Sequence, residues 1–199
     1  MLGASWLQLP AILYARSQGY QVVTCDNRPD NPGHALASEC FHVSTTDREG
    51  VLELAKRLKV DGVLAYASDP SVPAAAYAAN KLGLPGNPPA SVDLLTHKDE
   101  YRRFLQNNHF RSPKFWFATT LAEAQKKCID LRPPIMIKPV DSSGSKGVSR
   151  IDHEDELPQA FERGQSFSRC KRVIGEEYFE RVGHQITGDG FIVDGELAF

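Results

Sequence analysis

The sequence predicts an α/β protein whose first part contains a parallel sheet and whose second part has α+β character. Up to residue 82, short β-branched segments alternate with helical segments over short links, and such alternation is typical of a parallel sheet with helices on both faces. A turn-rich stretch at residues 83–89, GLPGNPP, then interrupts the pattern and favours a domain boundary. We therefore expect one domain over residues 1–86 and a second over residues 87–199.

In the first part, each element has its own signal. A turn at residues 3–5 follows a first strand of which almost nothing is present, and Gly19 is placed to cap the first helix at its C-terminal end. The apolar residues of segment 48–58 have the spacing of a one-faced helix. The predicted strands lie at residues 20–25, 41–43 and 63–66, and the predicted helices at residues 7–18, 48–58 and 71–82.

The second part is predicted to mix helices and strands and to end in an antiparallel meander. Thr120 is a typical N-cap for the helix that follows it, and two Asp-Gly pairs, at residues 189–190 and 194–195, are hairpin turn signals. Because the chain stops at Phe199 within a predicted strand, we expect it to be a fragment at both ends. The predicted helices lie at residues 91–95, 98–107, 120–130 and 155–164, and the predicted strands at residues 114–118, 135–137, 148–151 and 173–179.

Bulk composition excludes several classes of function. The 199 residues carry a net charge of -2, so there is no basic footprint for nucleic acid. No apolar run approaches the roughly 18 residues of a membrane span, and the first ten residues lack the basic region of a signal peptide. The four cysteines are scattered without a C-x-x-C pair, which argues against a zinc site or a disulfide framework. We expect free thiols and a cytoplasmic protein.

One stretch, residues 135–148, has the chemistry of an anion site. An apolar run ends at Lys138, and a loop of small residues with a second lysine, Lys146, follows. Glycines leave the backbone amides uncovered, and consecutive amides in such a turn form an anion nest. The alternative is an ordinary surface hairpin, and the Walker A pattern is absent. The loop residues assigned to the candidate site are Ser142, Ser143, Gly144, Ser145 and Gly147.

The acidic end of the strand predicted at residues 173–179 is the second candidate feature. Exposed backbone groups at a strand end can bind the edge of an adenine, and a carboxylate can accept hydrogen bonds from its amino group or from ribose hydroxyls. The alternative is an edge strand with solvated acids, since Glu is mostly exposed. The residues assigned to this feature are Glu176, Glu177, Tyr178 and Phe179, followed at ribose distance by His184 and Gln185.

The carboxyl ends of the predicted parallel strands give weaker signals. Ligands of such sheets bind beyond these ends, but residues 3–8, GASWLQ, are a poor version of the G-x-G-x-x-G fingerprint of NAD-dependent proteins. Asp26 could bind a ribose or start an Asx turn, and we favour the turn. Asp69 could contribute to substrate specificity or cap the helix predicted from Ser71, and we favour the cap.

The order of these features resembles the ATP-grasp superfamily, especially the group around carbamoyl phosphate synthetase large subunits and biotin carboxylase. Residues 1–86 resemble the Rossmann-like pre-ATP-grasp domain, and residues 87–199 resemble an ATP-grasp domain truncated at its C-terminal end. By this resemblance, Lys98 and Lys138 contact ATP, and Lys138 and Lys146 are the implied catalytic residues. Residues 142–147 resemble the loop that closes over the β- and γ-phosphates, and residues 176–179 resemble the adenine-binding hinge.

Two departures from the family pattern affect the site. The loop has serines where many relatives have glycines, which makes it stiffer. Gln185 occupies a position where many relatives carry a glutamate, so the resemblance leaves the ribose contact open between His184 and Gln185. The family's magnesium ligands would follow Phe199, so the resemblance assigns no metal ligand in this chain.

The resemblance implies an ATP-dependent carboxylate–amine ligase that forms a C–N bond through an acyl phosphate and releases ADP and phosphate. It implies ATP and Mg²⁺ as cofactors, a small-molecule carboxylate and an amine as substrates, no nucleic-acid or membrane partner, and it allows a homodimer. An ATP-dependent carboxylase of the biotin or purine type and a non-catalytic nucleotide-binding module are the alternatives. Without its metal ligands, the 199-residue chain is expected to bind nucleotide weakly at best and to show no ligase turnover.

Overall fold

The computed structural model describes residues 1–188, 190–193 and 195–198. The helices are α1 (Leu9–Ser17), α2 (Arg48–Leu58), α3 (Val72–Leu82), α4 (Pro89–Thr96), α5 (Lys98–Asn107), α6 (Leu121–Cys128) and α7 (Leu157–Ser166). The strands are β1 (Val23–Cys25), β2 (Glu39–Phe41), β3 (Phe115–Ala118), β4 (Ile135–Pro139), β5 (Ser149–Ile151), β6 (Val173–Glu177), β7 (Ile192–Val193) and β8 (Glu196–Leu197).

The first part of the chain forms the predicted parallel sheet, but with very short strands. β1 and β2 pair in parallel, and Leu2 makes single parallel bridges to Cys25 on one side and Ala65 on the other. The strand predicted at residues 63–66 is therefore reduced to the Ala65 bridge. Its partner segment is short because Gly3, at φ 91°, turns the backbone away immediately after Leu2.

Helices α2 and α3 pack beside this sheet and supply most of its core. Val51 and Leu54 of α2 are buried in one cluster with Ala74 and Ala78 of α3, and small alanines allow the two helices to approach closely. The helix predicted at residues 7–18 begins later, since Ser5 caps a 3₁₀ turn at Trp6–Gln8 before α1 starts.

The second part forms an antiparallel sheet in the order β3-β6-β4-β5. Phe115 and Met136 both lie opposite Glu176, so β6 is an internal strand, and the edge-strand alternative is wrong. Helices α6 and α7 cover one face of this sheet, where their buried side chains join those of the strands in a single core. A glycine is required at position 175, because a Cβ there would lie 2.3 Å from the ring of Trp116.

Helices α4 and α5 carry the chain from one sheet to the other. The Arg48 side chain of α2 pairs with Asp93 of α4, and the backbone N–H of Lys98, the first residue of α5, donates to the Val140 carbonyl at 3.0 Å. Both sheets are therefore connected to the same pair of helices. The division into domains at residues 86 and 87 stays a prediction.

A short hairpin, β7 with β8, ends the described chain. Asp189 and Asp194, the first residues of the two predicted Asp-Gly turns, lie outside the described residues. None of the helices in the described ranges is both long enough and apolar enough to cross a membrane, and all four cysteines are free.

Candidate functional site

A cleft of about 400 Å³ lies where the two parts of the chain meet. One wall is formed around Asp69, which follows the Ala65 bridge at the carboxyl edge of the parallel sheet, and the other by the Ser/Gly loop after β4. The residues that line the cleft include Asp69, Lys98, Asp141, Ser142, Ser143 and Arg169. The cleft therefore combines the predicted sheet edge with the predicted anion loop.

Lys98 projects into this cleft from the first turn of α5. Its Nζ donates to the Ser142 carbonyl at 2.6 Å, so the lysine contacts the first residue of the assigned loop. Burial lowers the pKa of Lys98, the nearby Lys138 lowers it further, and the acidic neighbours Asp141, Glu176 and Asp69 partly oppose the shift. Lys98 is thus a partly desolvated cation beside a second cation, an environment that favours an incoming anion.

Lys138 lies on β4 and forms an ion pair with Glu176 of the adjacent strand β6. Its Nζ donates to Glu176 Oε2 at 2.6 Å, and Arg102 Nε of α5 donates to Oε1 of the same carboxylate at 2.9 Å. Glu176 is only 2% exposed. The interpretation of Glu176 as a group on an exposed strand end was therefore wrong, because β6 is internal and both carboxylate oxygens are bound by cations.

The base of the Ser/Gly loop is fixed by Asp141. Its Oδ1 accepts a hydrogen bond from Ser168 Oγ at 2.8 Å, and its Oδ2 accepts one from the Cys170 backbone N–H at 3.0 Å. Burial alone would raise the pKa of Asp141, but these hydrogen bonds and the charge of Arg169 outweigh burial and lower it. The Asp141 carboxylate therefore holds the loop against the segment that joins α7 to β6.

The tip of the loop is open. Gly144 has φ 63° and Ser145 has φ 57°, and these two residues are exposed together with Lys146. The backbone N–H groups of Ser143, Gly144 and Ser145 donate to no residue in the described part of the chain. Consecutive free amides beside a lysine are the arrangement expected of an anion nest.

The backbone of the predicted hinge is free only beyond Tyr178. The N–H of Glu177 donates to the Lys114 carbonyl at 2.9 Å, and that of Tyr178 donates to the Pro134 carbonyl at 3.2 Å. The Arg150 guanidinium stacks on the Tyr178 ring at 4.4 Å, whereas Phe179 is 62% exposed. We expected the backbone of residues 176–179 to be exposed. That expectation is wrong for the N–H groups of Glu177 and Tyr178, because both donate to backbone carbonyls.

Comparisons with known proteins identify relatives of this chain. No protein-family model matches the chain. A formate-dependent phosphoribosylglycinamide formyltransferase of Synechococcus sp. (strain WH7803) is 30% identical over 191 residues, which cover 94% of this chain and 49% of that protein. The chain spans about half the length of the curated relatives it matches.

Solved structures show the same fold. An N5-carboxyaminoimidazole ribonucleotide synthetase in its ADP complex superposes with a TM-score of 0.69 at 14% identity, covering 98% of this chain and 54% of that one. This chain has the ATP-grasp fold. An L-amino acid ligase from Bacillus licheniformis has a TM-score of 0.65 at 24% identity, covering 89% of this chain and 43% of that one, and at such identities these structures show the ATP-grasp fold alone.

Of the residues assigned to the ATP-grasp site, Lys98, Ser142 and Ser143 line the cleft. His184 and Gln185 are exposed in a segment without regular structure and are not among the residues that line it. Their predicted role as ribose contacts stays a prediction, as do the roles of the other assigned residues in nucleotide binding.

Two arginines of the site were missed by sequence reasoning. Arg102 lies four residues after Lys98 on the same face of α5, so helical spacing could have identified it. Arg169 lies on a loop, where no spacing rule applies, and it reaches the cleft by contacting Asp141.

The structure decides the two open questions about the acids at the sheet edge. Asp26 forms the favoured Asx turn, since its Oδ1 accepts from the Arg28 N–H at 3.1 Å and its Oδ2 accepts from Asn31 and the Ala4 N–H. The favoured cap by Asp69 was wrong, because a 3₁₀ turn at Asp69–Ser71 precedes α3 and neither element has a side-chain cap. Asp69 instead lines the cleft.

Magnesium has no fitting site among these residues. No group of three or more His, Cys, Asp or Glu residues that could hold a metal ion occurs within residues 1–188, 190–193 and 195–198. Glu176 has both carboxylate oxygens bound by cationic side chains, and both oxygens of the buried Asp141 accept hydrogen bonds from residues 168–170.

Proposed function

We propose that this chain is the nucleotide-binding half of an ATP-dependent carboxylate–amine ligase. The observation that carries the proposal is that Lys98 binds the Ser/Gly loop in a cleft at the carboxyl edge of the parallel sheet, with Lys138 close enough to lower its pKa. The names of the relatives support it, since they include a formate-dependent formyltransferase, an ADP-bound synthetase and an L-amino acid ligase.

The proposed reaction proceeds in two displacements. A carboxylate oxygen attacks the γ-phosphorus of ATP, ADP leaves, and an acyl phosphate forms. An amine nitrogen then attacks the acyl carbon, phosphate leaves with the electrons of the broken C–O bond, and the amine loses a proton. The formate-dependent relative supports a small carboxylate as the first substrate, and we propose that Asp69, which lines the cleft, accepts a hydrogen bond from the amine.

The residues of this chain would act by holding and neutralising phosphate oxygens. Phosphoryl transfer depends mainly on positioning and on the stabilisation of moving charge. Lys98 supplies a cation in the cleft and Lys138 a second cation beside it, and Lys146 with the amides of Ser143 and Gly144 supplies donors from the loop. A loop that covers the phosphates also excludes water, which would hydrolyse an acyl phosphate.

The described residues do not fit a magnesium site, so no step is assigned to a metal here. In the proposed whole enzyme the metal ligands lie beyond residue 199. The 199-residue chain is accordingly proposed to bind nucleotide without catalysing the ligase reaction. We also propose a homodimer and a cytoplasmic location for the whole enzyme.

A carboxylase is the second candidate. A biotin carboxylase domain of a 2-oxoglutarate carboxylase from Hydrogenobacter thermophilus, solved with MgADP and bicarbonate, has a TM-score of 0.66 at 15% identity. Bicarbonate is itself a small carboxylate, so the same cleft could serve it. A requirement for bicarbonate in ADP formation by the whole enzyme favours the carboxylase, and a requirement for an organic acid favours the ligase.

ATP-dependent protection of the loop from trypsin tests the proposed site. Cleavage after Lys146 is expected to slow at least about fivefold with saturating ATP and to slow less with NAD, because bound phosphate orders the loop tip. Lys138→Met is expected to abolish the protection, whereas Lys126→Met, at an exposed lysine of α6, leaves it intact. Cleavage at the same rate with and without ATP contradicts the proposed site.

A further inference from the structure

One buried carboxylate in the site is shared by two cations. Glu176 accepts hydrogen bonds from Lys138 Nζ at 2.6 Å and from Arg102 Nε at 2.9 Å, and Arg102 reaches its second oxygen at 3.5 Å. The Glu176 side chain is 3% exposed, while the two cationic side chains are each 22% exposed. A buried carboxylate requires one countercharge, so the cluster carries one positive charge more than Glu176 needs.

The secondary structure brings these three groups together from two directions. Glu176 lies opposite Met136 on β4, which places Lys138, two residues further along β4, on the same face as Glu176. Arg102 comes from α5, one helical turn after Lys98. Lys98 and Arg102 therefore lie on the same helix, and Arg102 binds the carboxylate that also binds Lys138.

We infer that Arg102 is a positioning residue that makes Lys138 available to a nucleotide phosphate. This inference rests on the proposed function. With Arg102 bound to Glu176, the ammonium of Lys138 can move toward a phosphate oxygen without leaving a buried carboxylate unpaired, which would be costly. Without Arg102, Lys138 is the one cation among the described residues that still donates a hydrogen bond to Glu176, so it is retained there.

Chemical labelling of Lys138 without nucleotide tests the sharing of Glu176. Limited acetylation with acetic anhydride, followed by mass spectrometry, reports how readily each lysine presents a neutral amine. Arg102→Met is expected to slow labelling of Lys138 about threefold or more, since the ammonium no longer competes with a guanidinium for Glu176. Glu176→Gln is expected to accelerate it, because Lys138 then lies beside Arg102 without a countercharge.

The neighbouring arginine provides a matched control. Arg103 also lies on α5, but it pairs with Glu100 at 3.2 Å and stacks on Phe117 at 4.3 Å. Arg103→Met is expected to leave labelling of Lys138 unchanged. If Lys138 is acetylated in Arg102→Met as fast as in wild type or faster, the sharing of Glu176 is overturned. The proposed function is unaffected by that result.

Calorimetry with ATP and with adenosine tests the phosphate role. Arg102→Met is expected to weaken ATP binding roughly tenfold, because one positive charge near the phosphates is lost, and to leave adenosine binding unchanged. Arg102→Lys restores the charge without the planar fork and is expected to recover part of the ATP affinity. Equal loss for ATP and adenosine indicates a purely structural role and overturns the inference.

A wild-type chain that binds neither ligand overturns the proposed function and, with it, the phosphate role of Arg102. The labelling experiment still decides whether Arg102 and Lys138 share Glu176. Failure of the proposed function and failure of the inference are therefore distinguishable.

Discussion

Lys138 and Lys146 lie eight residues apart in one stretch of sequence, yet their environments are opposite. Lys138 comes from a strand and is ion-paired to a carboxylate that is almost completely buried. Lys146 is exposed at a loop tip and forms no ion pair with another described residue. The difference shows that a lysine next to a Ser/Gly loop can be a fixed part of the fold or a free donor, and that tertiary partners decide which.

The loop itself is divided in the same way. Gly147 is buried, and a Cβ at that position would lie 2.9 Å from Phe167. Gly144 is exposed, and a Cβ there would meet no atom within 4 Å. Together with the hydrogen bonds of Asp141, this gives the loop a packed base and an open tip.

The largest expected effect comes from the two glycines. Both have positive φ, 72° at Gly147 and 63° at Gly144, so alanine at either position costs about 1–2 kcal/mol of backbone strain. Gly147→Ala adds overpacking against Phe167, and we expect a total loss of about 2–4 kcal/mol in the free energy of unfolding. Urea denaturation of both variants measures the difference, and equal losses contradict the division into base and tip.

The next effect concerns Asp141. Asp141→Asn turns one acceptor into a donor that faces other donors, which we expect to lower the free energy of unfolding at pH 7 by about 1–3 kcal/mol. Since the pKa of Asp141 is lowered from its ordinary value of 3.8, its stabilisation is present above pH 3.8 and is lost as the pH falls through the lower folded value.

Unfolding curves of wild type and Asp141→Asn should therefore differ at neutral pH and converge in acid. Asp130→Asn, at an exposed position, is the matched control and should track wild type at every pH. If the free energies of unfolding of wild type and Asp141→Asn differ by the same amount at every pH, Asp141 is not stabilised as an ionised, hydrogen-bonded group.

The smallest effect on stability is expected at the tip. Lys146→Met should change the free energy of unfolding by less than about 0.5 kcal/mol, as for other surface substitutions. It should nevertheless weaken ATP binding about threefold to tenfold and leave AMP binding unchanged, because the loop tip is proposed to reach the terminal phosphates. Calorimetry compares the two ligands, and an equal loss for ATP and AMP would place Lys146 elsewhere.

Local sequence patterns predicted much of this fold correctly. Thr120 caps α6 as expected, with its Oγ1 accepting from the Glu123 N–H at 3.3 Å, and Asp26 forms its Asx turn with Arg28. Both interactions connect residues two or three positions apart, so the sequence contains both partners. The helices α2 and α5 were also predicted with the observed bounds, because a one-faced apolar spacing is a local property.

The tertiary structure alone decided the environment of the site. No local rule shows that β6 is internal, that Glu176 is buried, or that Arg102 from a distant helix neutralises it, since 74 residues separate that pair. Two wrong local predictions also depend on structure outside their own segment. The strand at Ala65 is short because its length depends on the partner strand. Asp69 is not a cap because a 3₁₀ turn precedes the helix. Residue types and their spacing indicated which side chains are candidates for binding an anion, whereas sheet pairing decides which of them are held by a partner.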